Sequence, residues 1–245
     1  MISLSQAVDQ VLAAQSATAK PLAIVVAGHN GSGKSTMWDG SLADRLQIPL
    51  INADRMMMSI LPRPGDDGHL TPWAQQLRDK DRGWMGVAQQ GVNAFVGHAM
   101  GAKVPFAMET VFSYWEPQGD GRVRSKIDLI REMQSAGYFV LLFFVGLASP
   151  DLSVLRVMTR TKAGGHTIEE PILRQRFPRT QKAISHALDV ADAAILTDNS
   201  REPGAAFTVC RVQLASAPLF DVRFSSKPAP RLITSWLDVV APLPA

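Results

Sequence analysis

Hydrophobic and polar positions along the chain switch between two periods, and the switching predicts strands alternating with helices. Leu4, Val8, Val11 and Leu12 fall on one helical face, so the first twenty residues read as a short packed helix. LAIVVA, from Leu22 to Ala27, reads as a buried strand. A helical pattern from about Ser35 to Leu46 leads into IPLINAD, a short strand ending at Asp54. Residues 62–83 are polar and broken by Pro and Gly, which predicts an exposed excursion. Small and apolar residues return at helical spacing from Trp84 to Met100, and KVPFAMET (Lys103 to Thr110) reads as another strand. A helix from about Gly121 to Ala136 ends at Gly137, a C-cap signal. YFVLLFFVGL has the unbroken apolar run of a parallel strand buried on both faces. Residues 150–163 and 169–190 read as helices, and AAILTDNS as the last core strand. From Val209 onward the weak, Pro-rich pattern predicts a peripheral strand or two and a short helix around Leu232 to Val239.

This order implies parallel β-α-β units with helices on both faces of a sheet. Ligands of such sheets sit beyond the carboxyl ends of the strands. Gly28, Asp54 and Glu109 are each expected to close a strand there. GHNGSGKST, residues 28–36, follows the first strand and matches G-x-x-x-x-G-K-[ST] at Gly28, Gly33, Lys34 and Ser35. Glycines let the backbone turn tightly enough to aim its N–H groups at phosphate oxygens, and the next helix adds its positive end. Lys34 can reach the β- and γ-phosphates, and the Ser35 hydroxyl can hold Mg²⁺. Residues 28–36 (Gly28, His29, Asn30, Gly31, Ser32, Gly33, Lys34, Ser35, Thr36) are thus the expected ATP site.

Composition narrows the setting. The 245 residues suit one α/β domain, and 46% hydrophobic with 19% charged residues is ordinary for a globular protein. A net charge of +3 without a basic block argues against a nucleic-acid partner. No apolar run is long enough to cross a bilayer, and residues 1–20 lack signal-peptide features, so no membrane role is expected. The lone cysteine, Cys210, suits a reducing, cytoplasmic compartment. The five histidines have no metal-ligand spacing.

The chain has no N-K-x-D stretch for guanine, no LSGGQ-like transporter signature and no apolar run ending in the acidic pair of a motor. What remains fits a small-molecule kinase, which needs a base at the acceptor, cations on the migrating phosphoryl group and a lid. Asp54 is a candidate base or, alternatively, a helix cap. Residues 156–179 hold five arginines and a Gly-Gly hinge, which predicts an arginine-rich lid or a solvated helix face. His166 beyond the hinge is a lid contact or a loop residue. Met56 to Met58 read as pocket-wall filler, and Trp73 and Trp84 as packing residues or stacking platforms.

GHNGSGKST, INADRM, METVFS, RVMTRTKAGGHTI, ILRQRFPRT and ILTDNS, in this order over roughly residues 20–200, resemble the zeta-toxin family of P-loop kinases, in its short stand-alone bacterial branch. The resemblance implies a single P-loop kinase domain, with residues 201–245 as a peripheral C-terminal extension. It implies ATP- and Mg²⁺-dependent phosphorylation of a sugar hydroxyl on a nucleotide-linked substrate, typically UDP-N-acetylglucosamine. Asp54 would be the base, Glu109 with Thr110 and Ser113 would hold the substrate, and Arg160 and Arg176 would bind the phosphates beside Lys34. A toxin role with an antitoxin partner would follow. His29 stands where the branch has proline, and Val111 and Phe112 replace polar or small residues, which predicts an altered loop mouth and a more apolar acceptor pocket. A kinase of NAD or another metabolite is an alternative. A nucleotide switch acting through a protein partner is another, disfavoured because a switch needs neither an acceptor base nor lid cations.

Overall fold

The computed structural model describes residues 2–119 and 123–243. Ser3 caps helix α1 (Leu4–Ser16) with a capping box, and α1 buries Ala7, Val8 and Val11. Strand β1 (Leu22–Gly28) is buried at every position, as a central strand covered on both faces requires. The helix expected over 35–46 is formed as helix α2 (Lys34–Met37) and helix α3 (Ala43–Leu46), with no non-helical break between them. A π-turn, Trp38–Leu42, joins them and seats Trp38 and Leu42 in the core.

Strand β2 is only Leu50–Ile51. Asp54 does not close it. Asn52 ends the extended segment as N-cap of α4 (Ala53–Ile60), accepting from the Arg55 amide at 3.2 Å, and Asp54 lies in that helix's first turn. The 62–83 excursion is in part helical: Pro72 opens α5 (Pro72–Lys80), where a missing N–H costs nothing, and α6 (Arg82–Ala102) starts already at Asp81 as its cap. Strand β3 is Phe106–Thr110. The helix expected from about Gly121 begins outside the described residues; of the rest, β4 (Trp115–Pro117) and β5 (Val123–Ser125) pair antiparallel, and α7 spans Ile127–Ser135.

Strand β6 (Phe139–Gly146) is buried throughout. Helices α8 (Pro150–Lys162) and α9 (Glu170–Leu188) follow, then β7 (Ala193–Asp198). β7 is the last parallel strand, but the sheet continues through antiparallel β8 (Thr208–Leu214) and β9 (Ala217–Asp221). Helix α10 (Arg231–Val240) closes the described chain.

The seven-stranded sheet has the order β2-β3-β1-β6-β7-β8-β9, parallel from β2 to β7. One core covers the face that carries Val25, Phe106 and Phe144, under α6, α7, α9 and α10. A second covers the opposite face, with Ile24 and Val26 under α1 and α2. The architecture is therefore three-layered α/β. Residues after Asp198 belong to it: Cys210, Val212 and Trp236 are buried, and Trp236 Nε1 donates to the fully buried Asp198 at 3.0 Å. Register places Glu109 beside Val26 and Thr110 beside Ala27, so β1 and β3 deliver their carboxyl ends to one edge.

Candidate active site

The segment after β1 turns on Gly31 (φ +71°) and Gly33 (φ +90°), both in the left-handed region. A methyl on Gly33 would lie 2.6 Å from Asn199 Nδ2, whose amide instead donates to the Ser32 carbonyl at 2.9 Å. The loop is thus tied to the end of β7. Lys34 folds back over it, its ammonium donating to the Gly28 and His29 carbonyls at 3.2 and 3.0 Å. Burial pulls Lys34 below its ordinary pKa; Glu109 and Asp54 oppose that and Arg160 adds to it.

Glu109 organises the floor. Ser35 Oγ donates to its two oxygens, at 3.2 and 3.0 Å, and Asn52 Nδ2 donates to Oε2 at 2.7 Å. Lys34 Nζ lies 4.0 Å from Oε1. Asn52 therefore caps α4 with one atom and orients Glu109 with another. A cleft of about 280 Å³ opens over this floor, lined by Asn30, Gly31, Lys34, Asp54, Glu109, Thr110, Ser113, Arg160 and Arg176 among the expected residues. Ser35 lines an adjoining cavity of about 310 Å³ that shares Asn52, Asp54, Glu109 and Arg160 with the first. Arg160 and Arg176 lie sixteen positions apart (176 − 160), and residues 163–169 turn the chain back so that α8 and α9 bring both to one cleft.

Other residues take different places. The His29 side chain leaves the loop mouth: it stacks on Phe177 (3.8 Å, 9°) and meets Phe144 edge-on, with both ring nitrogens buried and unpartnered. Burial, with Lys34 nearby, lowers its pKa from 6.5 to about 3, so the ring is neutral. Only its backbone faces the loop. Ser32 is fully buried, its Oγ unpartnered like Asn30 Oδ1, and Thr36 is exposed. Phe112 adopts φ +65° and is buried in the core, and both it and Val111 line the cleft, as the expected extra apolarity at these positions requires. Of the five arginines in 156–179, Arg174 pairs outside with Asp151 and Glu170. The solvated-face reading thus holds for Arg174 and for Arg179, which is also exposed.

Asn52, Gln89, Tyr114 and Lys126, not among the expected site residues, also line the cleft. Asn52 carried a readable signal, an N-capping residue before a helical run; the others reach the cleft through tertiary folding alone. Burial lowers the pKa of Arg176 and of Lys126. The cleft's charged lining is four cations (Lys34, Lys126, Arg160, Arg176) against two carboxylates (Asp54, Glu109). Such a lining favours a polyanion. Among the described residues no helix is long and apolar enough to cross a membrane. Nor do three or more His, Cys, Asp or Glu side chains group together as metal ligands.

No family model matches the chain. It is 29% identical over 155 residues to an uncharacterized protein of Haemophilus influenzae, an alignment covering 63% of this chain and 91% of that one. A chain from the PezAT chromosomal toxin–antitoxin system of Streptococcus pneumoniae superposes with a TM-score of 0.54 at 12% identity, covering 100% of this chain and 90% of that one. A chain of the AvrRxo1-ORF1:ORF2 complex with ATP superposes with a TM-score of 0.58 at 12% identity, covering 99% and 71%. These likenesses show that the chain shares its fold with a chain of the PezAT toxin–antitoxin system and a chain of the AvrRxo1-ORF1:ORF2 complex.

Proposed function

We propose that the protein is an ATP-dependent kinase that transfers the γ-phosphate to a sugar hydroxyl of a nucleotide-linked acceptor. The observation that carries this reading is the convergence of Lys34, Asp54, Glu109, Arg160 and Arg176 on one cleft rich in cations. Residues 28–36 cradle the triphosphate through backbone N–H groups, with Ser32 Oγ and Asn30 Oδ1 as buried polar atoms in need of partners. Lys34, now held by two carbonyls, exchanges them for phosphate oxygens. The Ser35 hydroxyl and the Glu109 carboxylate form a pair of hard oxygen donors that fits Mg²⁺. When bound, that ion neutralises phosphate charge. This reading gives Glu109 a metal-side role in addition to substrate binding.

Asp54 accepts the proton of the acceptor hydroxyl, and Thr110 and Ser113 hydrogen-bond the acceptor. Arg160 and Arg176 meet the charge that redistributes as the phosphoryl group leaves. The acceptor is a nucleotide sugar such as UDP-N-acetylglucosamine, or a dinucleotide such as NAD. A toxin role with an antitoxin partner accords with the toxin–antitoxin origin of one fold relative. The test is incubation with ATP, Mg²⁺ and a panel of nucleotide sugars and dinucleotides, with mass spectrometry of the products. A product heavier by one phosphate supports the reading; its absence for every acceptor, with ATP still bound, refutes it.

A further inference from the structure

Arg78, on α5, is only 4% exposed although it carries a charge. Its guanidinium bridges two distant segments. Nη1 donates to the Gly164 carbonyl at 2.8 Å and Nη2 to the Gly165 carbonyl at 3.2 Å, while Nε and Nη2 hold Asp79 at 2.7 and 2.9 Å. Asp79 also accepts from His166 Nδ1 at 2.9 Å. Burial alone would raise the Asp79 pKa, yet Arg78 and His166 bring it below the ordinary carboxylate value. Gly164, at φ +84°, packs against the Gly68 carbonyl, so the loop is gripped by both ends of the 62–83 segment.

The same loop also touches Arg160. A methyl on Gly165 would lie 2.6 Å from Arg160 Cγ, and Arg160 Nη2 donates to the His166 carbonyl at 3.4 Å. Arg78 and Arg160 therefore contact the same loop, residues 164–166, and both line the cavity that holds Ser35, Asp54 and Glu109. We propose that Arg78 is a positioning residue for phosphoryl transfer: by fixing the Gly164 and Gly165 carbonyls it holds the loop that aims Arg160 into the cleft. This rests on the kinase reading and goes beyond it, because it assigns segment 62–83 to the transfer step. A buried guanidinium with a bidentate carboxylate is rigid enough for that task.

The test is a double-mutant cycle read by ADP release from ATP–Mg²⁺, water serving as the slow acceptor. The neutral pair Arg78→Gln/Asp79→Asn avoids stranding a buried charge, and its melting curve checks the fold. Arg160→Ala should slow ADP release by about a hundredfold. The neutral pair should slow it by about tenfold, with ATP affinity within about twofold of wild type. In the Arg160→Ala background the same pair should change the rate by less than about twofold, since the residue it positions is gone. Equal effects of the pair with and without Arg160, or parallel losses of ATP affinity and rate, would overturn the positioning role while leaving the kinase reading intact. Unchanged ADP release in Arg160→Ala would overturn the kinase reading's use of Arg160 and the positioning role with it.

Discussion

His29 offers a test of how the loop after β1 is packed. Its ring lies between Phe177 and Phe144 with neither nitrogen hydrogen-bonded, and its pKa falls from 6.5 to about 3. Unfolding returns the ring to water, where it titrates normally. Because the folded pKa is depressed, the unfolded chain binds the extra proton below pH 6.5, and stability is lost as pH falls from there toward 3. At pH 5 the unfolded ring gains RT ln(1 + 10^1.5), about 2 kcal/mol, against about 0.2 kcal/mol at pH 7. For a chain of 245 residues, at ~2–4 °C per kcal/mol, the difference lowers the melting temperature by roughly 4–8 °C. His29→Phe keeps an aromatic ring against Phe177 and removes the proton site. Thermal melts of both proteins at pH 7 and pH 5 cancel the other four histidines, which both retain. Wild type should lose those extra degrees at pH 5 relative to the variant. Parallel pH dependences would show that the His29 ring is not a buried neutral group.

Lys34→Ala should reduce ATP turnover by about a hundredfold or more, read as ADP release, while the melting temperature stays close to wild type. Arg160→Ala and Arg176→Ala should each lower the rate of transfer far more than ATP affinity measured by calorimetry; Lys at either position should rescue only partly, lacking the planar fork. Trp236→Ala should cost about 3–5 kcal/mol in urea unfolding, because it empties a fully buried site and removes the donor at 3.0 Å from Asp198.

What the sequence made legible was local. The loop at 28–36 and the buried strands Leu22–Gly28 and Phe139–Gly146 announce themselves through contiguous residues, so loop and strands were readable together. The strand end expected at Asp54 lies three residues earlier, at Ile51, because Asn52 is already the N-cap of the next helix. The β4–β5 hairpin escaped notice since its strands are three residues each, too short for a period-two pattern. Arg78 looked like one charge in a polar excursion; its partners lie 86 and 87 positions away, and no spacing rule reaches that far. Trp236 likewise looked peripheral, in a Pro-rich tail, although its apolar helical face at 233, 236, 237 and 240 packs into the core.

The fate of the γ-phosphate tests the central claim most directly. ATP labelled at that position, with Mg²⁺ and each nucleotide-linked acceptor in turn, should leave label on one acceptor with wild-type protein. Asp54→Asn keeps the shape of the side chain but cannot take a proton, so label transfer should collapse while ATP affinity changes little. Label recovered only as inorganic phosphate with every acceptor, and at the same rate in Asp54→Asn, would mark a nucleotide-hydrolysing switch and contradict the kinase account.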